Sequence, residues 1–205
     1  MAQVVTGFRS LLSVAAVYDL FQAIVGTRWG RQEFVRCYVR PEPGQKVLDI
    51  GCGTADILEY LPGVTYYGFD ASPQYVEAAT QRFGERANIV CATVTEKTLE
   101  GLPKFDLVLA NGVLHHLDDS ESVKLFHLAR AALKPGGRLI TIDGCYVKGQ
   151  SAIARFLITR DRGQNVRDEQ GYRALAERVF QSVRSHIRHD LSRIPYTHVI
   201  LECEA

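Results

Sequence analysis

The sequence is poor in the cysteine patterns that stabilise secreted domains or bind structural zinc. Its five cysteines are scattered and odd in number, and no two of them stand as Cys-x-x-Cys. This distribution argues against a disulfide framework and against a metal site, and it favours a reducing compartment. We therefore expect a cytoplasmic protein without a metal ion.

Long apolar runs are absent as well. No stretch approaches the about 20 apolar residues that a membrane-spanning helix needs. The start of the chain lacks the basic lead, the compact apolar block and the cleavage site of a secretory signal. We expect native structure at this end and no membrane partner.

The chain also has little net charge of either sign. With 24 Lys and Arg residues against 23 Asp and Glu residues, the formal net charge is +1, which gives no reason to expect a nucleic acid as partner. The arginines between residues 155 and 193 are broken up by acids and are not interleaved with aromatic side chains, as is typical of a solvated face. A length of 205 residues with 46% hydrophobic favours one domain with a full core.

Helical patterns fill the first part of the chain. From residue 11 to residue 40, apolar residues recur at three- and four-residue spacing, which places them on one helix face. The stretch GTRWG at residues 26–30 breaks the pattern, and a second amphipathic piece at 32–39 ends at PEPG. We predict a helical cap over residues 1–43 that forms one compact unit with the domain at 44–205.

The domain itself alternates between apolar runs and helical patterns. Uninterrupted apolar runs are typical of strands buried on both faces, and their alternation with helices indicates a parallel α/β sheet. The predicted strands are 46–50, 65–69, 87–91, 105–110 and 138–143, and the helices between them are 56–60, 73–82 and 120–133. KPGG at 134–137 is predicted as a tight turn before the fifth strand.

The end of the chain departs from this alternation. A predicted helix at 169–180 is followed by two strand patterns, at 182–191 and 196–202. The link between them is too short for a parallel crossover, so the two strands must be antiparallel. The predicted sheet is therefore mostly parallel and ends in a hairpin.

A glycine-rich turn follows the first predicted strand, in VLDIGCGTAD at residues 47–56. Such a turn lets the backbone approach a ligand closely, beside the N–H groups of the next helix. A P-loop would need Gly-Lys-[Ser/Thr], and no lysine follows Gly53 until Lys97. A dinucleotide turn would need a third small residue where Asp56 stands, and this acid would repel a pyrophosphate.

A nucleoside ligand without phosphate fits this turn better. S-adenosylmethionine carries an ammonium and a sulfonium, so nearby acids help to hold it. Asp70 ends the second strand about twenty residues beyond the glycines. A carboxylate at this place can accept hydrogen bonds from both ribose hydroxyls.

Four motifs then point to a family. VLDIGCGTAD, GFDAS, FDLVLANGVLHHLDD and LKPGGRLI follow one another on successive predicted strands over roughly residues 44–143. They resemble the signatures of class I S-adenosylmethionine-dependent methyltransferases of the small-molecule type, with a type 11 or 12 methyltransferase domain. The resemblance implies an α/β, Rossmann-like methyltransferase fold. Its seven-stranded, mostly parallel sheet has an antiparallel last strand, helices on both faces and an N-terminal helical cap.

The resemblance also implies a cofactor site for S-adenosylmethionine, with S-adenosylhomocysteine as the product. The residues expected there are Asp49, Gly51, Cys52 and Gly53 around the methionine moiety, Asp70 and Ala71 at the ribose, Ala92 and Thr93 beside the adenine, and Asn111 after the fourth strand. The family commonly has an acid near the adenine, where this chain reads CATVTE. Thr93 or a backbone N–H would replace that contact.

Candidate catalytic residues follow the fourth and fifth strands. The sulfonium is a good leaving group, so the protein chiefly aligns the reactants and excludes water. An amine or thiol acceptor needs no base, whereas for a hydroxyl acceptor the candidates are His115, His116, Asp143 and Tyr146. A packing or loop-bracing role for the two histidines stays open. The histidines of the terminal strands, His186, His189 and His198, are interpreted as structural or surface residues.

The acceptor is expected to be a small molecule bound by a monomer or a homodimer. Methyltransferases of base amines carry [Asp/Asn/Ser]-Pro-Pro-aromatic where this chain has NGVL at residues 111–114, which disfavours a flipped base. The insertion at 144–170 is either a mobile lid or a fixed loop, and its arginines, Arg160, Arg162 and Arg167, are candidates to meet an anionic acceptor. A non-catalytic nucleoside-binding scaffold and an aminopropyltransferase on a related fold remain as alternatives.

Overall fold

The computed structural model describes residues 27–160 and 163–205. The predicted helical face from residue 11 to residue 26 and Arg162 lie outside this range. The α-helices of the described part are α1 (Thr27–Phe34), α2 (Pro73–Phe83), α3 (Glu96–Leu99), α4 (Asp119–Ala132), α5 (Ala152–Thr159) and α6 (Glu169–Glu177). The strands are β1 (Lys46–Ile50), β2 (Thr65–Asp70), β3 (Ala87–Cys91), β4 (Phe105–Asn111), β5 (Leu133–Gly144), β6 (Ser182–Arg188) and β7 (His198–Glu204).

Within the described residues, seven strands form one sheet in the order β3-β2-β1-β4-β5-β7-β6. The strands from β1 to β5 pair in parallel, whereas β7 is antiparallel to both β5 and β6. The predicted mostly parallel sheet with its terminal hairpin is therefore confirmed. The direction of winding reverses between β1 and β4, and at such a switch point the loops after the two strands diverge and leave a crevice.

Each central strand buries both of its faces, which is why its sequence reads as an apolar run. Successive side chains of β1 and β4 point to opposite layers. One layer joins Leu48 and Val108 to Phe126 and Phe180. The other layer joins Val47 and Leu107 to side chains of the segment after Thr27, which are Phe34, Val35 and Val39. This segment therefore packs on the sheet as part of its core, while the predicted boundary at residue 43 stays a prediction.

The first described helix differs from the prediction. GTRWG was expected to break the helical run, yet α1 continues through Gly30 and passes into a π-helical turn, Val35–Val39. A Cβ atom on Gly30 would lie 1.9 Å from the carbonyl oxygen of Leu191. The glycine is therefore a close packing contact between α1 and the chain after β6, and it does not end the helix.

KPGG also differs from its predicted place. Phe105 pairs with Leu133 and Leu107 pairs with Arg138, so β5 begins before KPGG and carries it as a bulge. Gly136 takes a positive φ of 75°, and the N–H of Ala205 donates to the carbonyl oxygen of Gly137 over 3.0 Å. The prediction of a tight turn before the strand was wrong. The flanking residues pair with β4 on both sides, which a sequence pattern does not show.

Candidate active site

A long cleft runs along the carboxyl ends of the parallel strands. The nine residues predicted to bind the cofactor all line it, namely Asp49, Gly51, Cys52, Gly53, Asp70, Ala71, Ala92, Thr93 and Asn111. They come from the ends of β1, β2, β3 and β4, which lie side by side in the sheet. The fold therefore gathers into one place residues that are up to about sixty positions apart in the sequence.

The glycine turn after β1 adopts a conformation that side chains disfavour. Gly51 and Gly53 have positive φ values of 73° and 55°, and Ala55 follows with 55°. The N–H groups of Gly51 and Cys52 both donate to the carbonyl oxygen of Phe69, at 2.8 and 3.0 Å, which fastens the turn to β2. A Cβ atom on Gly53 would meet nothing within 4 Å, so this glycine is required by its backbone conformation and faces open space.

Asp49 is the buried acid at the base of this turn. Its side chain is 1% exposed, and Tyr66 donates its hydroxyl to Oδ2 over 2.6 Å. Oδ1 has no hydrogen-bond partner among the described residues. Burial and, to a lesser degree, the charge of Asp70 raise the pKa of Asp49 to about 7, although the Tyr66 hydrogen bond opposes the shift. Such a carboxyl group is suited to a cationic partner.

Asp70 holds the turn from the other side. Its Oδ2 accepts the N–H of Gly53 over 2.9 Å and its Oδ1 accepts the N–H of Ser72 over 2.8 Å. Each carboxylate oxygen has a second lone pair, so a structural role and a ligand contact are compatible. On the other side of β1, Asn111 ends β4 with a buried Oδ1 that has no partner in the described part of the chain.

His115 and Asp143 form a hydrogen-bonded pair at the cleft. Nδ1 of His115 lies 2.8 Å from Oδ1 of Asp143, and the backbone N–H of His115 donates to the same oxygen over 3.2 Å. Burial raises the pKa of Asp143, and the hydrogen bond from His115 opposes this shift. The ring of His116 lies beside that of His115, with 4.1 Å between their centroids, and all three residues line the cleft.

Comparison with known proteins agrees with this arrangement. Residues 48–139 match the family described as a methyltransferase domain. The resemblance to class I S-adenosylmethionine-dependent methyltransferases, predicted from the four motifs, is confirmed for this stretch of the chain. S-adenosylmethionine is the cofactor that such methyltransferases use.

Three curated relatives show how far the likeness extends. An uncharacterized methyltransferase of Synechocystis sp. is 35% identical over 107 residues, which cover 49% of this chain and 48% of the relative. A ubiquinone biosynthesis O-methyltransferase of Brucella melitensis is 38% identical over 131 residues, or 58% of this chain and 52% of the relative. Phosphoethanolamine N-methyltransferase 1 of Zea mays is 29% identical over 64% of this chain and 27% of its own length. The chain thus spans about half the length of these relatives, or less.

Two solved structures share the fold. The pyocyanin biosynthetic protein PhzM has a TM-score of 0.74 at 18% identity and covers 98% of this chain and 63% of its own. The plantazolicin methyltransferase BpumL, solved with S-adenosylhomocysteine, has a TM-score of 0.68 at 13% identity and covers 96% of this chain and 92% of its own. At these identities the likeness shows the fold alone.

Tyr146 is the predicted catalytic residue that the structure leaves out of the site. It does not line the cleft of the methyltransferase domain. Its backbone N–H donates to the carbonyl oxygen of Arg167 over 3.2 Å, and it pairs with Asp168 in a short parallel bridge. The guanidinium of Arg155 lies 5.5 Å from the centroid of its ring. These contacts of Tyr146 are therefore with other residues of the 144–170 insertion.

His198 is a residue that sequence reasoning missed. It was interpreted as a structural or surface residue, but it lines the cleft together with Tyr196. Because β7 is antiparallel to β5, its first residue lies where β5 ends, and His198 pairs with Gly144. The short hairpin link was the signal that could have placed it there. His186 and His189 contact Glu202 and Thr197, in agreement with structural roles.

Asp56 is the second residue whose surroundings only the structure shows. Its carboxylate pairs with Arg31 over 2.8 Å and also with Arg82. The acid that argued against a pyrophosphate is thus neutralised by two arginines. These pairs join α1 and α2 to the turn after β1.

The 144–170 insertion contacts the cleft and the loop after β4. Its helix α5 contributes Phe156 and Leu157 to the lining of the cleft, and Arg160 directly after the helix lines it as well. Its last part is fastened to the loop after β4, where the N–H of Asn165 donates to the carbonyl oxygen of His115 over 3.0 Å. Arg167 was predicted to meet an anionic acceptor, but its guanidinium is hydrogen-bonded to the protein itself.

Neither a membrane span nor a metal cluster is found in the described ranges. No helix within 27–160 or 163–205 is long and apolar enough to cross a bilayer. In the same two ranges, no group of three or more His, Cys, Asp or Glu residues is placed to hold a metal ion.

Proposed function

We propose that this chain transfers a methyl group from S-adenosylmethionine to a small-molecule acceptor. The observation that carries the proposal is the set of acceptor oxygens around the glycine turn. Oδ1 of Asp49 and Oδ1 of Asn111 are buried without partners in the described part of the chain, in a cleft that Asp70 also lines. A buried acceptor without a donor is costly, and a cationic ligand with N–H groups would remove that cost.

The same residues fit the parts of the cofactor. Asp49 and Asn111 would hold the methionine end, where the ammonium donates hydrogen bonds. Asp70 would accept the ribose hydroxyls with the second lone pairs of its two oxygens, while the glycine turn admits the ligand to the backbone. Cys52 stays a neutral thiol there, because burial raises its pKa far above the ordinary value. When bound, S-adenosylmethionine supplies an electrophilic methyl group on a good leaving group.

The His115–Asp143 pair favours a hydroxyl acceptor. We assign the proton of the neutral ring to Nδ1, where Asp143 accepts it over 2.8 Å, so Nε2 carries the basic lone pair. His115 would take the hydroxyl proton as the acceptor oxygen attacks the methyl group. The buried Asp143 would then stabilise the imidazolium ion. The relative named as a ubiquinone biosynthesis O-methyltransferase supports an oxygen acceptor.

Calorimetry with Asp70→Ala tests cofactor binding. We expect S-adenosylmethionine and S-adenosylhomocysteine to bind with micromolar affinity, and Asp70→Ala to weaken both at least about tenfold, because two charge-assisted hydrogen bonds are lost. Glu85→Ala, an exposed acid that does not line the cleft, is the matched control. Absence of binding to either ligand in the folded protein would contradict the proposal and favour the non-catalytic scaffold.

A methyl-transfer assay on the same preparation of the protein identifies the class of acceptor. Release of S-adenosylhomocysteine is followed by mass spectrometry with phenols, catechols, carboxylic acids and amines as acceptors. His115→Gln should lower kcat by about 10²–10⁴ for a hydroxyl acceptor and leave cofactor affinity unchanged. Equal rates for His115→Gln and the parent would remove His115 as the base.

A further inference from the structure

The side chain of Arg167 is hydrogen-bonded to the loop that contains His115. Its side chain is 12% exposed, and its guanidinium donates to the carbonyl oxygen of Leu114 over 3.2 Å and to that of Leu117 over 2.9 Å. Nε and the second terminal nitrogen also contact Oδ1 of Asp119 at 3.0 and 2.7 Å. One planar group thus bridges both ends of the short turn that contains the two histidines.

The residues before Arg167 hold the middle of the same turn. Asn165 donates its N–H to the carbonyl oxygen of His115 over 3.0 Å. Gly163 lies so close to the histidine that a Cβ atom there would be 2.0 Å from Cδ2 of the ring. Arg167 fixes this segment internally, because it also donates to the carbonyl oxygen of Asn165 over 2.9 Å.

The other side of Arg167 is tied to the end of β5. Its carbonyl oxygen accepts the N–H of Tyr146, three residues beyond Asp143. Tyr172 lies under the guanidinium, with 5.6 Å from its ring centroid, and donates its hydroxyl to the carbonyl oxygen of Gly144 over 3.0 Å. The segment at 163–168 therefore joins the element that carries His115 to the element that carries Asp143.

We propose that Arg167 is a positioning residue, which holds the His115 ring on Asp143 and so sets the tautomer and the basicity of Nε2. The inference rests on the proposed function, in which His115 accepts the proton of the acceptor. A guanidinium is suited to the task, because its rigid fork of donors reaches several carbonyl oxygens at once. A lysine ammonium is a point charge and cannot bridge the two ends of the turn in the same way.

Charged or titratable groups lie around His115 on more than one side. Asp143 approaches from β5, His116 lies beside the ring, and the Arg167–Asp119 pair lies behind the carbonyl oxygens. A change in the titration of His115 in an Arg167 variant therefore has to be separated from the loss of a positive charge. Arg167→Lys keeps this charge and removes the fork, whereas Arg167→Met removes both.

The test combines a magnetic-resonance reading with kinetics in the full chain. Histidine-selective ¹⁵N spectra report the tautomer and the titration of His115 without any acceptor. We expect both Arg167 variants to lose the single Nδ1–H tautomer, to shift the pH midpoint of kcat and to lower kcat about 10- to 100-fold, with the Kd for S-adenosylmethionine changed less than twofold. Arg173→Lys, in a surface pair with Glu177, should change none of these.

The outcomes separate positioning from a merely structural role. A lower melting temperature with an unchanged His115 tautomer and an unchanged pH profile would overturn the inference. If the Arg167 variants do not fold, the same readings are taken on Asp119→Asn, whose partner oxygen orients the guanidinium and whose side chain is 72% exposed. The spectra test the coupling between Arg167 and His115 without any turnover. A parent protein that does not bind S-adenosylmethionine would refute the proposed function. The tautomer of His115 would still show whether Arg167 positions the ring.

Discussion

At the scale of the residue, Asp49 is a buried acid whose ionisation costs stability. Its pKa is raised to about 7 by burial, while the same group in the unfolded chain titrates near 4. The folded chain therefore binds more protons than the unfolded chain between these values, so this group lowers stability as the pH rises from about 4 to about 7, and the loss persists above pH 7. A bound cation would offset it.

Asp49→Asn should stabilise the free protein and weaken cofactor binding. The gain in the free energy of unfolding should grow from near zero at pH 4 to about 2–4 kcal/mol at pH 8, because the amide is never ionised but still accepts the Tyr66 hydrogen bond. Urea unfolding at several pH values and calorimetry with S-adenosylmethionine measure the two effects. Asp190→Asn is the control, since the pKa of that exposed acid is lowered by Arg188. A gain that does not depend on pH would contradict the assignment.

At the scale of the element, α1 packs closely against the chain after β6 because Gly30 has no side chain. Gly30 lies in the middle of the helix, where glycine normally weakens helical structure. A Cβ atom there would stand 1.9 Å from the carbonyl oxygen of Leu191, and Leu191 is itself a buried residue that lines the cleft. Helix propensity and packing therefore oppose each other at this position.

Gly30→Ala should reveal which of the two effects is stronger. An exposed glycine in a helix gains up to about 1 kcal/mol on replacement by alanine. Here we expect a loss of about 1–3 kcal/mol, because the contacting atom belongs to the backbone and cannot turn away. Thermal unfolding measures the change, and Arg28→Ala on the exposed face of α1 serves as the control. Stabilisation by Gly30→Ala would show that α1 is not packed against Leu191.

At the scale of the whole molecule, Glu202 joins segments that are far apart in the sequence. It is 5% exposed on β7 and pairs with Arg40 after the π-helical turn, with Arg138 of β5 at 3.5 Å and with His186 of β6 at 3.0 Å. Arg138 in turn donates to the carbonyl oxygens of Tyr38 and Val39, at 3.1 and 2.9 Å. This cluster connects the N-terminal segment to the antiparallel edge of the sheet.

Glu202→Gln should lower the free energy of unfolding by about 1–3 kcal/mol. The neutral amide leaves the partly buried Arg138 without its counter-charge, and the loss is moderated because Arg40 is half exposed. Glu204→Gln is a matched control on the same strand, since its pair with Arg184 is exposed and should contribute less than about 1 kcal/mol. Chemical denaturation of the two variants measures the difference. Equal losses would show that burial does not strengthen the Glu202 cluster.

Much of the fold and of the cofactor site could be predicted because the signals are local. β1 and β3 have the predicted bounds. For β1 the reason is that a strand buried on both faces must be a continuous apolar run, whereas β3 lies at the edge of the sheet and is largely exposed. Glycines in the turn after β1 indicate positive φ values, because glycine adopts them readily. The place of Asp70 at the end of β2 indicates that it lies at the carboxyl edge of the sheet. The roles of these residues toward the cofactor stay predictions until binding is measured.

What the sequence determined by itself is therefore the order of the strands along the chain, the glycine turn and the family. Only the tertiary structure decided that Arg167 and Asn165 hold the loop of His115, that His198 lies at the cleft and that Tyr146 does not. These contacts join residues about 20 to 55 positions apart through an insertion and an antiparallel strand. The local pattern of apolar and polar residues does not predict such pairings. An arginine or histidine at a polar position fits this pattern whichever distant residue it contacts.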